Sequence, residues 1–328
     1  MTALVKMGGI VKSFGETIAN DDVSLEIAAG EVHALLGENG AGKTTLMNIL
    51  YGLTIPDEGT IEVGGVSVAP RNPADAIDAG VGMVHQHPLV VGALTVAENF
   101  SLGGLGDGSP ASMLEAVADV VQTIPLEVDP RARIDSLPMS LRQRVEIVRC
   151  LAHGVRVLVL DEPTAVLTPD EVQQLFGEME RVVEQGRSVI FITHKLAEVQ
   201  TIAQRVTVLR HGRNVGSFAV GDITSAELAE QMVGRELSDR SAKGAPRAAG
   251  AARLELRGVC AVGDDGECLL DNLDLEVCAG EIVAIAGVEG NGQRPLADIC
   301  FGLRVPDSGE VLHDDERLPQ LRDWGRSK

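Results

Sequence analysis

Residues 37–44 bring together glycines, a lysine and a threonine at a spacing that suits phosphate binding. The segment reads Gly37-Glu38-Asn39-Gly40-Ala41-Gly42-Lys43-Thr44 and lies between an apolar run and a helical pattern. Glycines let successive backbone N–H groups turn inward around phosphate oxygens, and the positive end of the following helix faces the same charge. Lys43 then supplies a point charge to the β and γ phosphates, and the Thr44 hydroxyl can ligate Mg²⁺. We predict a nucleoside triphosphate site here; the alternative is a glycine-rich turn without a ligand.

Two acidic residues follow directly on an apolar run at residues 157–160. The run reads VLVL, which is typical of a strand buried on both faces, and Asp161, Glu162 and Pro163 come next. Ligands of open α/β sheets bind at the carboxyl ends of the strands, so both acids are expected beside the phosphate loop. We predict that Asp161 holds Mg²⁺ through water and that Glu162 is the general base for the attacking water. Taken alone, this segment is equally typical of a plain turn.

Residues 37–44 and 161–164 together resemble the ATP-binding subunits of ABC transporters, and the resemblance covers residues 1–237 and the opening third of a second copy. It implies a P-loop NTPase fold of the ABC type, with ATP and Mg²⁺ as cofactors. The nucleotide-binding residues that it implies are Gly37, Glu38, Asn39, Gly40, Ala41, Gly42, Lys43, Thr44 and Thr45. The metal-binding residues that it implies are Thr44, Gln86 and Asp161.

The resemblance also implies roles for residues outside these two segments. Gln86, after the apolar run VGMVH, is similar to the glutamine loop that contacts both Mg²⁺ and the membrane partner in that family. His194 is similar to the switch histidine that contacts the γ-phosphate, so Glu162, His194 and Gln86 form the expected catalytic set. Phe14 is the expected aromatic residue that stacks on adenine, and residues 164–169 resemble the loop that crosses the dimer interface. A helix cap at His194 and a core position for Phe14 are the alternatives.

Residues 137–141 depart from the ABC signature, which the resemblance implies should bind the γ-phosphate of an opposite domain. Pro138 replaces the serine whose hydroxyl would bind phosphate, and Ser140 replaces a glycine that allows close backbone approach. Proline suits the first turn of a helix, so the helix itself is still expected to begin here. We expect a weakened phosphate contact.

An internal repeat underlies the domain organisation. Residues 21–61 have a second copy at 271–311, and the shared glycines and prolines keep one constant offset throughout. In the second copy Gln293 stands in place of the phosphate-loop lysine, and Arg294 in place of the threonine. Because both the ammonium charge and the metal-binding hydroxyl are replaced, we expect little or no hydrolysis at the second copy.

The repeat predicts three parts of the chain. Residues 1–237 are the predicted ABC ATP-binding domain, and 238–252, rich in alanine and glycine, the predicted linker. Residues 253–328 are predicted to be a partial, degenerate second ABC domain. We expect this part to contain the strand and helix around its phosphate loop without the later parallel strands.

Short apolar runs alternate with helical patterns over residues 1–237. This alternation predicts an α/β fold with a mostly parallel sheet covered on both faces. The predicted strands are Val32–Leu36, Val81–His85, Val157–Leu160, Ser188–Ile192 and Val206–Leu209. The predicted helices are Lys43–Tyr51, Leu141–Ala152 and Asp170–Glu184. Residues 110–152 are expected to form a mainly helical lobe, and the resemblance adds an antiparallel β subdomain.

Composition argues against several classes of function. The 328 residues carry 28 basic and 48 acidic side chains, a formal net charge of −20, so no nucleic acid partner is expected. Residues 80–97 lack charged side chains, but their two histidines and one proline disfavour a membrane span. The N-terminal sequence has no long apolar segment typical of a secretion signal. Five cysteines at irregular spacing favour reduced thiols, so we expect a location on the cytoplasmic side.

The resemblance implies an ATPase that energises an importer as a peripheral subunit on the cytoplasmic face of the membrane. The implied partners are integral membrane permease subunits, a substrate-binding lipoprotein reached through them, and a second ATP-binding domain in trans. Residues 84–88 (VHQHP) and 193–199 (THKLAEV) are more similar to the nucleoside and simple-sugar branch, so nucleosides are expected first and monosaccharides second. A non-hydrolysing or truncated remnant with a regulatory role is one alternative, favoured by Pro138 and Ser140. A ribosome-associated ABC ATPase is the other, disfavoured by the short linker.

Overall fold

The computed structural model describes residues 3–122, 124–234, 250–263, 266–287, 291–314 and 316–317. The chain divides into a first unit, residues 1–238, and a second unit, residues 239–328. Most of the predicted linker at 238–252 lies outside the described residues, so its limits stay predictions. No helix within the described ranges is long and apolar enough to cross a lipid bilayer.

Extended segments of the first unit follow its apolar runs. The strands are β1 (Ala3–Phe14), β2 (Thr17–Ala28), β3 (Val32–Leu36), β4 (Glu58–Val63), β5 (Val66–Val68), β6 (Val81–Val84), β7 (Val157–Asp161), β8 (Ser188–Thr193), β9 (Arg205–Arg210) and β10 (Arg213–Ala219). Every residue of β3, β6, β7 and β8 is buried. Such continuous apolar burial is typical of parallel strands that are covered on both faces.

Six of these strands form one sheet in the order β10-β9-β3-β8-β7-β6. Neighbours from β9 to β6 are parallel, and β10 is antiparallel to β9. The parallel strands β3, β6, β7 and β8 therefore end at one edge of the sheet. The segments that follow this edge carry most of the predicted site residues, which is how distant parts of the sequence come together.

A second sheet in the first unit has the order β2-β1-β4-β5 and is antiparallel throughout. The β1–β2 hairpin turns at Gly15, whose φ of 60° suits a residue without a side chain. This sheet is the antiparallel β subdomain that the resemblance implied.

Helices cover the sheets of the first unit. They are α1 (Lys43–Leu50), α2 (Pro73–Asp78), α3 (Val96–Leu102), α4 (Pro110–Val117), α5 (Met139–Ala152), α6 (Pro169–Glu184), α7 (Leu196–Ile202) and α8 (Ser225–Val233). α6 begins with a capping box, in which the Thr168 hydroxyl accepts from the Glu171 N–H and the Glu171 carboxylate accepts from the Thr168 N–H. Between 110 and 152 the chain is helical over α4, α5 and two short 3₁₀ turns.

The described residues of the first unit form two hydrophobic clusters, one on each face of the parallel sheet. Successive side chains of a strand point to opposite faces, so Leu35 packs into one cluster and Leu36 into the other. Met113 of α4 and Val148 of α5 belong to the same cluster as Leu36. The helical segment is thereby packed to the sheet that carries the site.

The second unit contains β11 (Ala252–Val262), β12 (Cys268–Cys278), α9 (Gln293–Cys300), β13 (Ser308–His313) and β14 (Glu316–Arg317). Its strands form an antiparallel sheet in the order β12-β11-β13-β14. The prediction of a strand before the second phosphate loop is wrong, because residues 281–287 form no strand and Ile282 is 96% exposed. In the first unit β3 pairs with β8 and β9. The described residues of the second unit contain no counterpart of either partner, so that segment has nothing to pair with.

Candidate functional site

Residues 37–42 connect β3 to α1 in a loop whose glycines are required by the backbone conformation or by close neighbouring backbone. Gly40 and Gly42 have φ of 81° and 97°, the left-handed region that glycine adopts at little cost. A Cβ at Gly42 would lie 2.3 Å from the Ala19 carbonyl oxygen, and one at Gly37 would lie 2.4 Å from the Leu209 carbonyl oxygen. The loop is therefore specified both by its backbone conformation and by the strands packed against it.

Lys43, the first residue of α1, directs its ammonium group into this loop. Its Nζ donates to the carbonyl oxygens of Gly37 at 2.8 Å and of Glu38 at 3.0 Å. The residue is buried, and burial lowers the pKa of Lys43, while the nearby charges of Glu162 and Asp161 raise it. A cation thus lies at the centre of a loop that is open to anions.

Thr44 and Asp161 form a pair of oxygen donors next to the loop. The exposed Thr44 hydroxyl is hydrogen-bonded to the buried carboxylate at the end of β7. Burial raises the pKa of Asp161 most strongly and Glu162 adds to the rise, whereas Thr44 and Lys43 lower it. Hydroxyl and carboxylate oxygens are ligands that Mg²⁺ prefers, so the chemistry of this pair fits the predicted metal.

Glu162 lies between two side chains from neighbouring strand ends. Its Oε1 is 3.1 Å from His194 Nδ1, and its Oε2 accepts from Gln86 Nε2 at 3.4 Å. The residue has a φ of 45°, a left-handed conformation that is unusual for glutamate, and its N–H donates to the Ile192 carbonyl at 3.1 Å. The three residues of the predicted catalytic set are therefore in direct contact.

A cavity of about 330 Å³ opens above the phosphate loop. Its described lining residues are Thr17, Ile18, Ala19, Asn39, Gly40, Ala41, Gly42, Lys43, Thr44, Thr45, Gln86 and Glu162. Residues 17–19, at the start of β2, were not predicted, since nothing in their side chains suggests nucleotide binding. They reach the site because β2 packs its backbone against Gly42.

Phe14 lies at the end of β1 and is 54% exposed, so it is not a core residue. It is not among the described residues that line the cavity of the phosphate loop. Lys12 Nζ lies 5.5 Å from the centroid of its ring. Its role as an adenine-stacking residue stays a prediction.

Residues 137–141, which depart from the ABC signature, lie at the start of α5. Pro138 is the N-cap residue of this helix, and no side chain caps it. Ser140 is hydrogen-bonded to Glu171, and it lines a separate cavity of about 210 Å³ between α5 and α6. The buried amide of Gln143 donates to the Pro163 carbonyl at 2.9 Å. The helix start predicted for this segment is confirmed, two residues before the predicted Leu141.

The second phosphate loop is described only in part, because residues 288–290 lie outside the described residues. Gly292, at the start of α9, has a φ of 86° like its counterpart in the first unit. The Gln293 amide nitrogen lies 2.3 Å from where a Cβ at Gly287 would be, so the glutamine side chain lies against Gly287. An uncharged amide thus takes the place of an ammonium group.

Known sequences similar to this chain are importer subunits. The family described as ABC transporter matches residues 20–165. The glucose import ATP-binding protein of Haloferax volcanii is 42% identical, over 96% of this chain and 63% of its own length. The nucleoside import ATP-binding protein of Lactococcus lactis subsp. cremoris is also 42% identical, over 95% of this chain and 63% of its own length. The chain thus spans slightly less than two thirds of these relatives.

Solved structures share the fold. An ATP-binding cassette of an ABC transporter in its ADP conformation aligns with a TM-score of 0.61 and 25% identity, over 70% of this chain and 94% of that one. A dimeric cassette bound to ADP and phosphate aligns with a TM-score of 0.58 and 23% identity, over 66% of this chain and 98% of that one. The second likeness shows the fold alone.

Proposed function

Since this chain carries an ATP-binding domain of the ABC transporter family, we propose that it binds and hydrolyses ATP to power an importer. One observation carries this proposal: Lys43, the Thr44–Asp161 pair and Glu162 meet at one edge of the parallel sheet. Phosphate ligands of α/β folds bind at this edge. The relatives named above are importer subunits, which favours transport over the regulatory and ribosome-associated alternatives.

Binding of the triphosphate falls to the loop and Lys43. The N–H groups of residues 37–45 and the positive end of α1 attract the phosphate oxygens. Lys43 Nζ exchanges its two carbonyl acceptors for the β and γ phosphates as the nucleotide enters. Thr44, Asp161 and the Gln86 amide oxygen would hold Mg²⁺, which neutralises charge on the phosphates when bound.

Glu162, with its neighbours His194 and Gln86, carries out hydrolysis. The Glu162 carboxylate orients the attacking water and accepts its proton. His194 Nδ1 at 3.1 Å and Gln86 Nε2 at 3.4 Å fix the direction of that carboxylate. His194 directly follows the end of β8, and its resemblance to the switch histidine implies a contact with the γ-phosphate.

The proposed partners are membrane permease subunits, a substrate-binding lipoprotein that reaches the chain through them, and a second ATP-binding domain in trans. The permease contact is proposed at residues 86–91, where a cavity of about 320 Å³ is lined by Leu89, Glu146 and Arg149 among others. Leu89 is 61% exposed, and the Glu146 Oε2 atom is buried without a hydrogen-bond partner among the described residues. The exposed Leu89 side chain offers apolar area to a permease, whereas the Glu146 oxygen is out of a partner's reach. From this proposed contact we infer a place at the cytoplasmic face of the membrane.

The proposed cargo is a nucleoside or a simple sugar. Relatives with nearly the same identity are named for nucleoside import, for glucose import and, at 43% identity in Rubrobacter xylanophilus, for ribose import. No cargo contact falls on the ATP-binding chain in this scheme, so the choice between them rests on the partner proteins.

An ATPase assay of the purified full chain with the variant Glu162→Gln tests the proposal. We expect Mg²⁺-dependent hydrolysis by the wild type and about a 10²-fold or greater loss in the variant, because the general base is removed. ATP affinity, measured by calorimetry, should be retained in the variant. Failure of the wild-type chain to bind ATP would contradict the proposal.

A further inference from the structure

Glu198 is a buried glutamate on α7 whose two carboxylate oxygens accept hydrogen bonds from different segments of the chain. Oε1 accepts from the Thr164 hydroxyl at 2.7 Å, and Oε2 accepts from the Thr193 hydroxyl at 2.8 Å. All three residues are less than 9% exposed. Hydrogen bonds to a charged acceptor in a buried site are stronger than neutral ones, so this carboxylate holds both threonines firmly.

Both threonines are close in sequence to the residues proposed to act on water. Thr164 is two residues after Glu162, and Thr193 directly precedes His194. The contact between Glu162 Oε1 and His194 Nδ1 at 3.1 Å closes a ring with the two bonds to Glu198. A change at Glu198 is therefore transmitted to the Glu162–His194 pair through very short lengths of backbone.

Lys195 completes the hydrogen bonding and offsets the charge. Its Nζ lies 3.0 Å from Glu198 Oε1 and donates to the Thr164 carbonyl oxygen at 3.3 Å. Its backbone N–H donates to the Thr193 hydroxyl oxygen at 3.0 Å. The buried carboxylate is thus paired, and each threonine is fixed from two directions.

We propose that Glu198 is a positioning residue that sets the distance between Glu162 and His194. It links the segment that begins at Thr164 to the end of β8, so the loop at 164–169 and His194 are positioned by one carboxylate. The consequence for hydrolysis rests on the function proposed above, whereas the consequence for the Glu162–His194 contact does not.

Four variants test the positioning role. Glu198→Ala removes both bonds, while Glu198→Gln keeps a side chain of the same size that can bridge both hydroxyls. Glu31→Ala is the matched control, because Glu31 is equally buried but precedes β3 at the opposite end of the sheet, where it accepts from the Ala28 N–H. Thr193→Val, which removes one hydroxyl at constant shape, serves if Glu198→Ala does not fold.

The first measurement is the ¹⁵N resonance of His194 Nδ1, assigned with His194→Asn. We expect Glu198→Ala to move this resonance toward its position in Glu162→Ala, and Thr193→Val to move it in the same direction. Glu198→Gln and Glu31→Ala should leave it in place. A folded Glu198→Ala or Thr193→Val chain with the wild-type resonance would overturn the proposal.

The second measurement is single-turnover ATP cleavage. A misplacement of about 1 Å costs about 10²-fold in rate, so Glu198→Ala should lose kcat by up to that factor while its ATP affinity stays within about twofold. Glu31→Ala should keep its rate per folded molecule and lose thermal stability only. Equal rates in Glu198→Ala and the wild type refute the positioning role in hydrolysis. A wild type that binds ATP but never cleaves it refutes the proposed function, and the resonance still decides the positioning role.

Discussion

The buried ammonium group of Lys43 donates hydrogen bonds to carbonyl oxygens of its own loop. Two bonds of 2.8 and 3.0 Å hold it in place before any phosphate arrives. The loop is therefore already shaped around a cation, and phosphate oxygens need only replace the carbonyl oxygens as acceptors.

Replacing Lys43 with alanine should weaken ATP binding. Hydrogen bonds to charged groups contribute about 1.5–3 kcal/mol, so the expected loss of affinity is about 10- to 100-fold. Isothermal titration calorimetry measures it directly, with Lys6→Ala as the control because Lys6 forms an exposed ion pair with Glu26. Unchanged affinity in Lys43→Ala would show that the nucleotide binds elsewhere.

Residue types and spacing were enough to predict the groups at the site, but not their contacts. The phosphate-loop glycines, Asp161 and Glu162 follow apolar runs, so parallel strands had to place them at one edge. The link through Glu198 was not predicted, because a glutamate on a short helix looks like any solvated residue. Only the tertiary structure shows that it is buried and that it reaches two strand ends.

At the scale of elements, α5 holds the segment that follows β6. Glu146 Oε1 accepts from the Leu89 N–H at 3.1 Å, and Arg149 Nη2 donates to the Leu89 carbonyl at 3.1 Å. The helix α5, which follows Pro138, thus fixes the segment that carries Gln86. Movement of α5 would be passed to the site through Leu89.

Glu146 also makes the stability of the first unit depend on pH. Burial raises the pKa of Glu146 from 4.5 to about 7, so the folded chain binds this proton more tightly than the unfolded chain. The free energy of unfolding should therefore fall as pH rises between about 4.5 and about 7, and remain low above that range.

Glu146→Gln should remove this loss of stability at high pH, because glutamine does not ionise. Its amide oxygen can still accept from the Leu89 N–H. The free energy of unfolding of the variant is expected to exceed that of the wild type by up to about 3 kcal/mol at pH 8. This gain should shrink toward pH 5. Denaturant unfolding at both pH values measures it. Glu98→Gln is the control of opposite sign, because hydrogen bonds from Thr95 lower the pKa of Glu98. A stability gain over the wild type that is no larger at pH 8 than at pH 5 would contradict the prediction.

The five strands of the first unit that were predicted with bounds agree with the structure to within about one residue, because each is an apolar run between polar segments. The other strands of that unit were not predicted with bounds. Val32–Leu36 is confirmed without change, and the strand predicted at Val81–His85 ends one residue earlier. The strand predicted in the second copy failed, although its sequence is just as apolar. A strand needs neighbours to bond with, and no local pattern reports whether they exist.

At the scale of the whole molecule, the two units differ in how much apolar surface they bury. The part of the second unit that the structure describes has one small buried cluster, and Ile282 and Phe301 are 96% and 83% exposed. Large exposed apolar side chains of this kind are typical of surfaces that another protein segment covers. We therefore predict that residues 253–328 need a covering surface to remain folded.

Limited proteolysis of the full chain tests this prediction. After cleavage within residues 238–252, the fragment 253–328 should be degraded well before the fragment 1–237, because its small core opens more easily. Mass spectrometry of the digest over time measures both fragments in one sample. Persistence of an isolated, monomeric 253–328 fragment would show that the unit is stable alone.

Because of the backbone conformation at Glu162, stability and activity favour different residues at this position. A left-handed conformation costs a non-glycine residue about 1–3 kcal/mol, and glycine or asparagine would relieve that cost. A mutant library selected only for heat resistance should therefore enrich glycine or asparagine at position 162. A library selected for ATP hydrolysis, the activity proposed above, should retain glutamate there, so the identity of this single residue reports which pressure a population has experienced.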